Sequence, residues 1–218
     1  MVVLRYALMA VLVGVLMAAV ISFVAMGLAT VRRTRRLGRK AHERGMRFFP
    51  DDPFDAPRRY GEFAVISGGH SPRANNVTDG RVDGRSLRAF DFRCELGHGT
   101  RRTTRHYSVV VAEADRAAPY LLMWHDADAE LAPLAARDCR GHVGAWRYRG
   151  PAALAAALAE ACADLADTGG SIETRGTTLM VAAPARRGAP DHAVPLPCVE
   201  AALRLLRAAP AEEPTGSS

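Results

Sequence analysis

"NNVTDGRVDGRSLRAFDFRCEL", residues 75–96, is the stretch whose reading decides the fold. Two runs of strand formers flank Asp83-Gly84, a dipeptide suited to the positive φ of a tight hairpin turn. Along the second run, Leu87, Ala89, Phe90, Phe92 and Cys94 alternate imperfectly, as expected of a strand with one face on a core. Outward from this hairpin, "RHYSVVVAEA" (105–114) is rich in β-branched residues, "PYLLMW" (119–124) reads as a further short strand and "VGAWRY" (143–148) as another.

Helical signals come later. "GPAALAAALAEACADLADTGG" (150–170) has Pro151 at the start and Gly169 as a stop, with Leu154, Leu158, Cys162 and Leu165 on one face. "SIETRGTTLMVAAP" (171–184) reads as a second hairpin turning at Arg175-Gly176. A last helix starts near Pro197 and packs through Val199, Leu203 and Leu206. Strands in a run, followed by helices, predict an α+β domain with an antiparallel sheet. Its expected span is 46–209. Residues 210–218 form a polar tail, expected to be disordered.

The amino-terminal part has a different character. "YALMAVLVGVLMAAVISFVAMGLATV", Tyr6 to Val31, contains no charged residue. About 20 apolar residues suffice for a helix to cross a bilayer, so 6–31 is expected to be a transmembrane helix, with 32–45 its basic helical extension. A secretory signal is the competing reading, with a mature chain starting at Thr30. The apolar run is longer than the roughly 7–15 residues of a signal's core. Arg32, Arg33, Arg35, Arg36, Arg39 and Lys40 follow the run and are expected at the membrane surface. One basic side chain precedes it, so the positive-inside rule predicts an amino terminus outside and a cytoplasmic domain. Gly14, Ala18 and Ser22 lie in a row of small residues that offers a face for helix self-association. An alanine-rich composition yields such a row unaided.

The chain of 218 residues has a formal net charge of +6. The six basic residues at 32–40 account for all of it, since 6 − 6 = 0 for the remainder. A nucleic-acid-binding face on the folded part is therefore not expected. The near-exclusive use of Arg over Lys matches a GC-rich bacterial source.

"KAHERGMRFFPDD", "NNVTDGRVDGRSLRAFDFRCEL" and "RRTTRHYSVVVAEA" together resemble a group of bacterial single-span membrane proteins with a cytoplasmic α+β domain. The shared features are Gly80, Gly84, Phe90, Asp91 and Phe92. The resemblance implies a membrane-tethered globular domain and no catalytic residue.

Catalytic signals are sparse. Cys94, His98 and His106 surround one hairpin and have the atom types of a zinc site, but their spacing matches no known finger. With Asp91 they form the one enzyme site the sequence suggests. "WHDADAE" (124–130) alternates carboxylates, yet lacks the glycine and distal Glu of a calcium loop. There is no G-x-S-x-G, H-E-x-x-H, C-x-x-C or phosphate-binding loop. Arg101, Arg102 and Arg105 read as a solvated hairpin tip. Cys94, Cys139, Cys162 and Cys198 show no compact disulfide spacing, and a cytoplasmic domain would keep them reduced.

The resulting expectation is a membrane-anchored, non-enzymatic domain that binds the lipid bilayer surface or a protein, with no cofactor, metal or nucleic acid. The alternatives are an enzyme built on Cys94, His98, His106 and Asp91, and an exported domain.

Overall fold

The computed structural model describes residues 2–82, 84–125, 139–166, 168–185 and 195–208. Asp83, the carboxylates of "WHDADAE" and the tail lie outside them.

A seven-stranded antiparallel sheet organises the chain, in the order β1-β2-β3-β4-β6-β5, with β7 also paired to β4. Its strands are β1 (Arg47–Asp51), β2 (His70–Val82), β3 (Arg85–Leu96), β4 (Thr103–His125), β5 (Gly141–Val143), β6 (Trp146–Arg149) and β7 (Ser171–Pro184). The quoted stretch forms the β2–β3 hairpin, with Val82 opposite Arg85 and Gly84 at φ 80°.

β4 and β7 differ from their sequence reading. "RHYSVVVAEA" and "PYLLMW" are one strand rather than two, and "SIETRGTTLMVAAP" is one strand rather than a hairpin. Both pair along their lengths, with irregularities between Glu113 and Leu121 opposite Thr174–Thr178. Gly176, at φ 56°, absorbs the kink. The irregularity inverts the side-chain phase. Val110 and Ala112 share a core with Leu121 and Met123, and Leu179 and Val181 share it with Ile172. Each strand therefore resembles two when read for alternation. Thr174 braces the kink by accepting the Leu121 N–H at 3.0 Å and donating to the Pro119 carbonyl at 2.6 Å. "VGAWRY" spans the end of β5, a turn at Gly144 (φ 58°) and β6.

The two sheet faces carry separate cores. On one lie helices α4 (Ala152–Ala161), α5 (Ala163–Ala166) and α6 (Pro195–Ala208). Leu158, Cys162, Leu165, Val199 and Leu203 pack there against Val110, Leu121, Met123, Ile172, Leu179 and Val181. A disulfide joins Cys162 to Cys198, with Cα atoms 5.0 Å apart. This corrects the expectation of reduced cysteines: the α4 break at Cys162 brings two residues 36 apart in sequence side by side. On the other face lie the short helices α2 (Ala56–Arg59) and α3 (Ala64–Ser67). Tyr60, Phe63, Val65 and Ile66 cover Val77, Phe90, Phe92, Val109, Val111 and Met180.

Helix α1 (Val2–Glu43) is continuous from the apolar run into the basic one. Its carboxy-terminal part docks on the sheet: Leu37 and Ala41 are buried, and the ring of Phe48 approaches Gly38. Arg33 forms a bidentate pair with Asp91, the second contact at 2.8 Å. Asn76 donates to Asp91 at 2.7 Å and accepts from the Thr34 hydroxyl at 3.2 Å. Asn76 has φ 51°, at a β2 bulge, which aims its amide at this latch.

The transmembrane expectation for 6–31 is corrected. A crossing helix needs about 20 consecutive apolar residues. Among the described residues no helix is long and apolar enough to cross a membrane. The resemblance to single-span membrane proteins, the bilayer as partner, the single-pass localisation with its orientation, and the membrane-anchored function all depended on that span and are withdrawn with it. In α1, Val11, Leu12, Val15, Leu16 and Phe23 are exposed hydrophobics.

Candidate functional site

The residues singled out from sequence do not assemble. Cys94 is buried with Phe90 and Phe92, whereas Asp91, three residues earlier, projects from the opposite face to Arg33. His98 is exposed at the hairpin tip, its ring stacked on His70 with centroids 5.2 Å apart. His106 is exposed on β4, opposite Arg93. No group of three or more His, Cys, Asp or Glu among the described residues could hold a metal. Of the basic run, Arg33 is taken by Asp91 and Arg39 lies 3.8 Å from Glu43. Arg32, Arg35, Arg36 and Lys40 are exposed. Gly14, Ala18 and Ser22 are exposed on α1.

The structure instead builds a polar cleft of about 260 Å³ on the α2–α3 face. Its origin is a charge placed in the inward phase of a strand. Arg88 lies between Leu87 and Ala89 but on the same face as Phe90, and it is only 9% exposed. Such a charge needs a partner, because leaving water uncompensated costs several kcal/mol. Asp79, across the hairpin, supplies one: its Oδ1 accepts Arg88 Nε at 3.1 Å and a terminal nitrogen at 2.6 Å. Arg88 also donates to the Tyr60 hydroxyl at 3.1 Å, and its guanidinium lies 3.9 Å from the Phe54 ring centroid. The other Asp79 oxygen accepts from Arg47 at 2.6 Å. Burial acts to raise the Asp79 carboxyl, but hydrogen bonds and charge from Arg47 and Arg88 outweigh it and hold it below its ordinary value.

A second ion pair, with a buried carboxylate and a half-buried guanidinium, closes the other end. Glu173, 3% exposed, accepts the Ala64 N–H at 2.7 Å and Arg175 Nε at 2.7 Å. Burial pushes the Glu173 carboxyl above its ordinary value, against the pull of the Ala64 N–H and Arg175. Arg175 is held between rings, 4.8 Å from the Tyr120 centroid and 5.8 Å from that of Phe63.

These pairs fix Arg88 and Arg175 as rigid walls, with Tyr60 and Phe63 between them. Arg59, Glu62, Ser86, Glu113 and Thr178 complete the lining. Sequence reasoning missed this site. Its one legible signal is Arg88 itself, a charge in the apolar phase of β3.

No known family's sequence pattern matches the chain, and no curated protein matches it in sequence. Among solved structures, the fold is similar to that of the mycobacterial trehalose monomycolate transport factor A, TtfA. The TM-score is 0.56 at 15% identity, over 82% of this chain and 96% of that one. The likeness defines a shared α+β fold.

Proposed function

We propose that this chain is a glycolipid transport factor, as the protein sharing its fold is named a trehalose monomycolate transport factor. The observation that carries this reading is the likeness over 96% of the other chain. Separation of Cys94, His98, His106 and Asp91 supports a binding role over the enzyme alternative. The test is deletion of the gene in its host and comparison of surface-exposed with cell-retained glycolipid. Surface glycolipid falls and its precursor is retained if the reading holds. An unchanged distribution refutes it.

The Cys162–Cys198 disulfide favours a second reading, that the domain works in an oxidising compartment after export. Mass spectrometry of alkylated, unreduced protein taken directly from cells tests it. A linked 162–198 peptide together with a mature chain starting at Thr30 supports export. Free, alkylated thiols on an unprocessed chain contradict it.

A further inference from the structure

We propose that the α2–α3 cleft binds a neutral polyhydroxylated ligand, the size of one sugar ring. The choice of sugar rests on the transport reading above; the chemistry of the cleft does not.

Charge excludes the simpler ligands. Arg59, Arg88 and Arg175 line the cleft with Glu62 and Glu113, while Asp79 and Glu173 stand behind two of the arginines. With Arg47, which also pairs with Asp79, four guanidiniums against four carboxylates give 4 − 4 = 0. An anion would meet a site without excess positive charge, and a cation would meet three arginines. Arg88 and Arg175 already have their counter-charges.

What remains is hydrogen-bonding capacity without strong net charge. Among the described residues, the carboxylates of Glu62 and Glu113 and the hydroxyls of Ser86 and Thr178 have no side-chain hydrogen bond. The Arg59 guanidinium lies 5.9 Å from the Tyr60 centroid. The carboxylates accept, the guanidinium donates and the hydroxyls do both. A ligand that offers several O–H groups, each both donor and acceptor, matches that mixed set. Tyr60 and Phe63 supply an apolar wall for its C–H face.

Size narrows the choice. About 260 Å³ lies just below the ~300–1,000 Å³ of pockets for drug-sized ligands, so a single ring fits better than an acyl chain. The Arg88–Asp79 and Arg175–Glu173 pairs hold two of the lining side chains in place, which lowers the ordering cost of binding.

The test is saturation-transfer NMR and calorimetry on the full chain with trehalose, a disaccharide of which one glucose ring enters the cleft, and with inorganic phosphate as the anionic probe. Trehalose ring protons receive saturation, and affinity falls at least tenfold in Arg59→Ala and in Glu113→Ala. Both side chains are exposed, so the fold survives their loss. Arg204→Ala, exposed on α6, leaves binding unchanged. Phosphate neither binds in the cleft nor displaces the sugar. The proposal is overturned if trehalose does not bind, if both cleft variants bind as wild type, or if phosphate competes. Sugar binding with unaltered glycolipid distribution in the deletion strain leaves this site standing and removes the transport reading. Altered distribution without sugar binding removes this inference alone.

Discussion

The two faces of the sheet solve the burial problem in opposite ways. Under α4–α6 the packed side chains are almost wholly apolar, and a disulfide ties α4 to α6. Under α2–α3 an apolar cluster is interrupted by the buried Arg88, Asp79 and Glu173, which cost free energy to bury and are offset by ion pairs with one another, with Arg47 and with Arg175. A stretch selected only for stability replaces such pairs by hydrophobic residues at little cost, as buried ion pairs elsewhere show. The polar face therefore points to recognition and the apolar face to stability.

Breaking that comparison begins with the largest effect. Asp79→Ala leaves Arg88 buried without its carboxylate and costs about 3–5 kcal/mol, read by urea denaturation. A change below 1 kcal/mol would show that water reaches Arg88 freely. Leu158→Ala, in the centre of the apolar face, costs about 2–5 kcal/mol through lost burial and a residual cavity. It leaves ligand binding in the cleft unchanged. Thr174→Val removes the brace of the β4–β7 kink and strands the Leu121 N–H, at about 1–3 kcal/mol.

pH separates the two carboxylates of the polar face. Asp79 is depressed below 3.8, so its stabilisation is present above 3.8 and is lost as pH falls through the depressed value. Glu173 is raised above 4.5, so its contribution is full below 4.5 and declines as pH rises through the raised value. Glu173→Gln flattens the stability profile above 4.5 and leaves the acid limb intact. An unchanged upper limb would show that Glu173 titrates normally. The smallest effect belongs to Glu62→Gln, which stays within about 0.5 kcal/mol in stability.

How much of this was legible in sequence varies by element. The β2–β3 hairpin was readable because its turn residues and alternation are local. Leu154 and Leu158 on α4 were readable from their spacing, but the break at Cys162 that puts Leu165 on the separate helix α5 was not. The single strands β4 and β7 were not, because a mid-strand bulge reverses the phase and imitates a turn at Gly176. Residues 6–31 misled, because an uncharged apolar run reads as a span whatever the rest of the helix does. The cleft was largely hidden: Glu173 meets the Ala64 N–H across 109 residues, and no local pattern announces that contact.

The central claim is that the polar face carries function and the apolar face carries stability. Its most direct test is complementation of the deletion strain with Arg59→Ala/Glu113→Ala, at protein levels matched to wild type, reading surface glycolipid. The account predicts that the double variant folds with wild-type stability and fails to restore glycolipid to the surface. Full restoration by the double variant would contradict it.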